Sequence, residues 1–138
     1  MPEIKQIHHL ALLVADLEAA ISLWQDTLGV TPSRVSDNPD EAARIAFLPL
    51  GGSEIELVQP ITSDSGLSRY LEKHGPGMHH VCLEVDDLQA MLVQLKARGV
   101  QLINEQPKVM PDGRLYAFIH PRSTQGVLIE LYQQAKSE

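Results

Sequence analysis

The feature that most constrains this chain is that it repeats itself. Residues 7–30 read IHHLALLVADLEAAISLWQDTLGV and residues 78–100 read MHHVCLEVDDLQAMLVQLKARGV. A His-His pair, an alternating strand, a Val-x-Asp-Leu and a closing glycine recur in the same order about 70 residues apart. Composition alone would supply the apolar matches. It would not supply the ordered set of His9 with His80, Asp16 with Asp87, Leu17 with Leu88 and Gly29 with Gly99. The chain of 138 residues is therefore read as one domain made of two modules, about 5–60 and about 77–134, joined by a linker at 61–76.

Each module opens on a strand, because side chains alternate between faces at a period of two. Leu10, Leu12 and Val14 share one face, opposite His9, Ala11 and Leu13; Val81, Leu83 and Val85 oppose His80, Cys82 and Glu84. The apolar face should carry the helix that follows, and the histidine face reads as the wall of a cavity. Asp16 and Asp87 can each offer a side-chain oxygen to the free amides of a first helical turn. Leu17, Ala20, Ile21, Trp24 and Leu28 then fall at helical spacing, as do Leu88, Met91, Leu92 and Leu95. Gly29 and Gly99 stand where a glycine ends a helix. After the helices the pattern becomes β. Residues 43–49 and 54–59 flank a Gly51-Gly52 turn as a hairpin, and 101–104 is a short strand before the Pro111-Asp112-Gly113 turn. Residues 115–120 and 127–132 are the closing strands, and a short helix is expected around 67–73 of the linker.

The chemistry lies in isolated polar residues on those strands. Glu56 sits between Ile55 and Leu57, and Glu130 between Ile129 and Leu131. If the apolar neighbours pack inward on one face, both carboxylates project to the other, where His9 and His80 project. A carboxylate there is costly to desolvate unless it is paired or holds a metal. Two imidazoles and two carboxylates at equivalent ends of duplicated units suit a borderline divalent ion such as zinc, cobalt, nickel or manganese rather than calcium. His8, His79, His74 and His120 are assigned structural, exposed or loop-anchoring roles, with His8 and His79 on the helix side or at the strand start. Cys82 reads as a small buried thiol.

Composition removes other classes. The formal net charge of -7 and the lack of a Lys/Arg cluster argue against a nucleic-acid partner. No apolar stretch is long enough to cross a bilayer, no first segment resembles a signal peptide, and one cysteine fits a reducing compartment, so a soluble cytoplasmic protein is expected. A phosphate-bearing ligand would need a local basic patch, for which the loops offer Lys108, Arg114 and Arg122.

The paired strand–helix–three-strand modules with His, Glu, His, Glu resemble the vicinal-oxygen-chelate (glyoxalase-like) superfamily over essentially the whole chain. Within it, IHHLALLVADLEAA, AFLPLGGSEIELVQP, GMHHVCLEVDDL and HPRSTQGVLIELYQ are similar to the methylmalonyl-CoA epimerase family. The resemblance implies an α+β fold in which two βαβββ modules form a curved eight-stranded mixed sheet around a metal. It implies a homodimer, an acyl-CoA substrate, and inversion at C2 of methylmalonyl-CoA in propionate metabolism. One divalent ion per chain is implied, cobalt foremost, with His9, Glu56, His80 and Glu130 as ligands and Glu130 also as the catalytic proton carrier. Some family members carry a second acid/base glutamate where this chain has Ile45. The second carrier is therefore open between Glu54, Glu41 and a water on the ion. The alternatives are a glyoxalase-type lactoylglutathione lyase, which shares the four ligands, and a non-catalytic small-molecule-binding module, which generally lacks the full set.

Overall fold

A computed structural model describes residues 1–136. Both repeats fold as strand, helix, three strands: β1 (Ile4–Leu13), α1 (Leu17–Ser22), β2 (Arg34–Asn38), β3 (Ala43–Leu50) and β4 (Ser53–Pro60), then α2 (Gly66–His74) as the linker helix. The second repeat gives β5 (Gly77–Val85), α3 (Leu88–Ala97), β6 (Lys108–Val109), β7 (Leu115–Ile119) and β8 (Ile129–Gln133). The eight strands run in the order β2-β3-β4-β1-β5-β8-β7-β6, mixing parallel and antiparallel pairs. The chain divides into two compact units, Met1–His8 with His80–Glu138, and His9–His79. Strand β1 contributes its first half to one and its second half to the other.

In the unit 9–79, β1 pairs parallel with β4, His9 facing Glu54 and Ala11 facing Glu56 across the ladder. Leu10, Leu12 and Val14 carry α1, packing with Leu17, Ala20, Ile21 and Trp24 over Leu48, Ile55 and Leu57. The expected stripe departs at Leu28, which is 55% exposed. The helix passes into a π-helical turn at Leu23–Thr27, where the Leu28 amide donates to the Leu23 carbonyl five residues back. The added residue in that turn rotates Leu28 out of the stripe. The histidine face is also not a plain cavity wall: beyond His9, Ala11 and Leu13 are buried with Ile45 and Val58, and Leu67, Tyr70 and Leu71 of α2 pack on them. The linker helix fills that part of the face.

In the other unit, β5 pairs parallel with β8 and β7 antiparallel with β8. Leu83 and Val85 pack under Leu88, Met91, Leu92 and Leu95 of α3, over Ala117, Ile119 and Leu131. Each fully buried leucine here contributes roughly 1.5–3 kcal/mol. The short strand expected at 101–104 lies instead at 108–109. Leu102 makes one isolated bridge to Ile119, and the Phe118 amide donates to the Asn104 side chain, so a side chain takes the place of a ladder partner. Strand β8 starts at Ile129 rather than 127; Val127 is exposed.

The duplication extends to the helix caps. Asp16 accepts from the Ala19 amide and Asp87 from the Ala90 amide, both at 3.1 Å. The first amide in each helix is met from the last strand of its own module: Leu17 donates to Gln59 Oε1 and Leu88 to Gln133 Oε1, both at 2.7 Å. Both helices are followed by a glycine at φ +80°, Gly29 and Gly99, a conformation that favours glycine. Gln59→Ala and Gln133→Ala are each expected to lower stability by about 1–2 kcal/mol, because a half-buried helix amide loses its acceptor. Urea unfolding measures this, and an unchanged midpoint for either variant would show that water replaces the side chain at no cost.

Candidate metal centre

Two histidine–carboxylate pairs form, one in each unit. In the unit 9–79, His9 Nδ1 lies 3.2 Å from Glu56 Oε2, with the two side chains 8% and 13% exposed. In the other unit, His80 Nε2 lies 3.0 Å from Glu130 Oε1, the side chains 12% and 13% exposed. The construction is the same in both. The histidine stands two residues before the position opposite the carboxylate, Ala11 facing Glu56 and Cys82 facing Glu130. The glutamate therefore reaches diagonally along the face, a separation that a long side chain spans. The four residues expected as ligands fall into two pairs, His9 with Glu56 and His80 with Glu130.

Glu54 shares the face of His9 and Glu56, and the ligand-type atoms of the three lie within 4.8 Å of one another. Glu41 is exposed in the turn between β2 and β3, where its amide and that of Asp40 donate to Asn38 Oδ1. Ile45 is 5% exposed within the apolar cluster under α2. Cys82 is fully buried, as expected for a core thiol. The His8 ring packs on Tyr132 at 4.2 Å between centroids. His79 meets Tyr70 edge-on, and His74 stacks on that same ring with Nδ1 3.2 Å from the Tyr70 carbonyl. His120 caps the 3-10 turn Pro121–Ser123, its Nδ1 accepting from the Arg122 amide.

Each pair also has an aromatic neighbour that the sequence reading did not single out. Phe47 stands in register with Glu56, and Phe118 with Glu130. The Phe118 ring lies edge-on to His80 at 5.5 Å. A further polar group lies in the His80 unit. Glu84 is 4% exposed, accepts from Gln6 and Gln134 at 3.2 Å each, and meets Lys5 at 3.5 Å. Burial is the largest single influence on its carboxyl and pushes its pKa up. The two amide hydrogen bonds and the lysine charge together outweigh it, so Glu84 ends below the ordinary glutamate value.

The donors fit a divalent ion. Imidazole nitrogens and carboxylate oxygens are the ligand types of zinc, cobalt, nickel and manganese sites. Each carboxylate is largely withdrawn from water and faces an imidazole, the setting in which a buried carboxylate is tolerated when it is paired or holds a metal.

The family model for the Glyoxalase/Bleomycin resistance protein/Dioxygenase superfamily matches residues 8–118. The mitochondrial methylmalonyl-CoA epimerase of Mus musculus is 37% identical over 129 residues, 93% of this chain and 72% of that protein. An ethylmalonyl-CoA/methylmalonyl-CoA epimerase of Cereibacter sphaeroides is 36% identical over 132 residues, 94% of this chain and 98% of that protein. The crystal structure of methylmalonyl-CoA epimerase from Mycobacterium tuberculosis superposes with a TM-score of 0.87 at 33% identity, covering 96% of this chain and 90% of that one. With an eight-stranded sheet of two βαβββ repeats, this chain belongs to the Glyoxalase/Bleomycin resistance protein/Dioxygenase superfamily and stands within it among the methylmalonyl-CoA epimerases.

Proposed function

We propose that this chain is a methylmalonyl-CoA epimerase, an isomerase that interconverts the (2R) and (2S) thioesters by moving the proton at C2. The observation that carries the reading is the repeated His–Glu pair, built on the same strands of both modules in a chain whose relatives bear that name. His9, Glu56, His80 and Glu130 would together hold one divalent ion, cobalt foremost, with manganese, zinc or nickel suited to the same donors. Bound there, the ion supplies Lewis-acid stabilisation of the negative charge that develops on the thioester oxygen.

The protein's own part is positioning and proton transfer. Glu130 is the carboxylate that takes or returns the C2 proton on one face of the planar intermediate, held in place by His80 on one side and its strand neighbours on the other. Inversion requires a carrier on the opposite face as well. Of the candidates, Glu54 is the one set beside His9 and Glu56, whereas Glu41 is exposed in its turn. The same reading places the protein as a homodimer working on acyl-CoA in propionate metabolism. Among the described residues no helix is long and apolar enough to cross a membrane, and the buried lone thiol suits a cytoplasmic location.

The purified protein should carry about one divalent ion per chain and should exchange the C2 hydrogen of methylmalonyl-CoA with solvent deuterium. Elemental analysis and mass spectrometry of the recovered thioester read both. Absence of metal, together with no exchange after addition of cobalt or manganese, removes the epimerase reading. Turnover of a methylglyoxal–thiol adduct without exchange at C2 replaces it with a glyoxalase.

A further inference from the structure

We propose that Lys108 receives a phosphate of the substrate's coenzyme A arm, an assignment that rests on the epimerase reading. An acidic protein with formal charge -7 gives a polyanionic ligand no general attraction, so a local cation must do it. Of the three basic candidates, Arg114 is committed, with Nε 2.6 Å from Asp112 Oδ2 and Nη1 3.4 Å from the Tyr132 hydroxyl. Arg122 belongs to the 3-10 turn that follows β7. Lys5 and Lys96 are likewise ion-paired, to Glu84 and Glu105. Lys108 is exposed and, among the described residues, meets no carboxylate.

Its place in the sheet directs it to the His80–Glu130 face. Strand β7 buries Ala117 and Ile119 toward α3, which puts Tyr116 and Phe118 on the opposite face, and Lys108 is the ladder partner of Tyr116. A row runs from there to the centre: Tyr116 lies edge-on to Phe118 at 6.2 Å, and Phe118 edge-on to His80 at 5.5 Å. Two strand spacings and two residues put the Lys108 Cα about 12 Å from that of Glu130. The malonyl carboxylate is only two bonds from C2 and falls short of such a distance. The phosphates stand beyond the pantetheine arm, for which the two rings offer an apolar track. A lysine on an edge strand also discourages strand addition by another chain, but that role predicts no effect on substrate affinity.

The test compares wild type, K108Q, K108R and, as a charge control away from this face, K96Q. For methylmalonyl-CoA, K108Q should raise KM about fivefold to tenfold with kcat within about twofold, more so at low ionic strength; K108R should restore KM and K96Q leave it unchanged. With methylmalonyl-pantetheine, which lacks the phosphates, wild type and K108Q should coincide. Equal KM values for the CoA ester overturn the proposal. An equal loss with the pantetheine ester overturns the phosphate assignment in favour of the carboxylate. If wild type exchanges C2 of neither ester, the epimerase reading fails by itself, and calorimetric binding of desulfo-coenzyme A then decides: weaker binding by K108Q sustains the phosphate site, and equal binding ends it.

Discussion

Replacing Glu130 with glutamine is expected to abolish solvent-deuterium exchange at C2, a fall of at least about a thousandfold, while the fold persists. Glutamine matches the shape and still faces His80, whose Nε2 lies 3.0 Å from the present carboxylate, but it has neither the charge to balance a cation nor the basicity to take a proton. Metal content separates the two losses. If the variant still carries metal and does not exchange, the missing proton carrier is responsible; if metal is lost as well, Glu130 is at least a ligand. Near-normal exchange would show that it moves no proton.

The same change at Glu56 is expected to cost less. Ala11, Leu13, Ile45 and Val58 continue the face of the His9–Glu56 pair, and α2 covers them with Leu67, Tyr70 and Leu71. On the epimerase reading proposed above, Glu56 would therefore serve the ion rather than the proton. An exchange loss for Glu56→Gln equal to that for Glu130→Gln would contradict this division of labour.

The parts of the fold legible in the sequence were those that the repeat states twice. Asp16 and Asp87, each before an apolar stripe, locate both helices, and the isolated carboxylates between apolar neighbours locate the strands that pair with His9 and His80. The repeat also held more than was read from it. IELVQ at 55–59 and IELYQ at 129–133 end in the same glutamine, and both glutamines accept from the first amide of their module's helix. Strand β2 escaped because its residues are almost all exposed, so no alternation marks it. The π-helical turn was hidden because its effect is to take Leu28, a periodic residue, out of the stripe. The closure around Ile45 depends on α2 folding back from the linker, a long-range packing event that no local pattern records.

Glu84 was read only as an alternating polar position, yet it is the buried carboxylate whose replacement should have the largest pH-dependent effect on stability. Its hydrogen bonds from Gln6 and Gln134 and its lysine partner join β1, β5 and the segment after β8. Glutamine in its place keeps the volume but turns one acceptor oxygen into a donor facing donors, which at neutral pH should cost about 1–3 kcal/mol. The pH dependence follows from the direction of its shift. Although burial pushes this carboxyl up, the amides and Lys5 leave the folded pKa below the unfolded one. The folded state thus holds fewer protons on this group than the unfolded state between the two values, and stability rises with pH there. Glu84 therefore contributes fully above the unfolded carboxylate value, and the contribution fades as pH falls through the folded one. Urea unfolding of wild type and Glu84→Gln should differ most at neutral pH and converge in acid. A gap that stays constant from neutral pH to well below the carboxylate range would mean that the deficit comes from lost packing or a misplaced amide rather than from the charge, because only the charged interaction is removed by protonation.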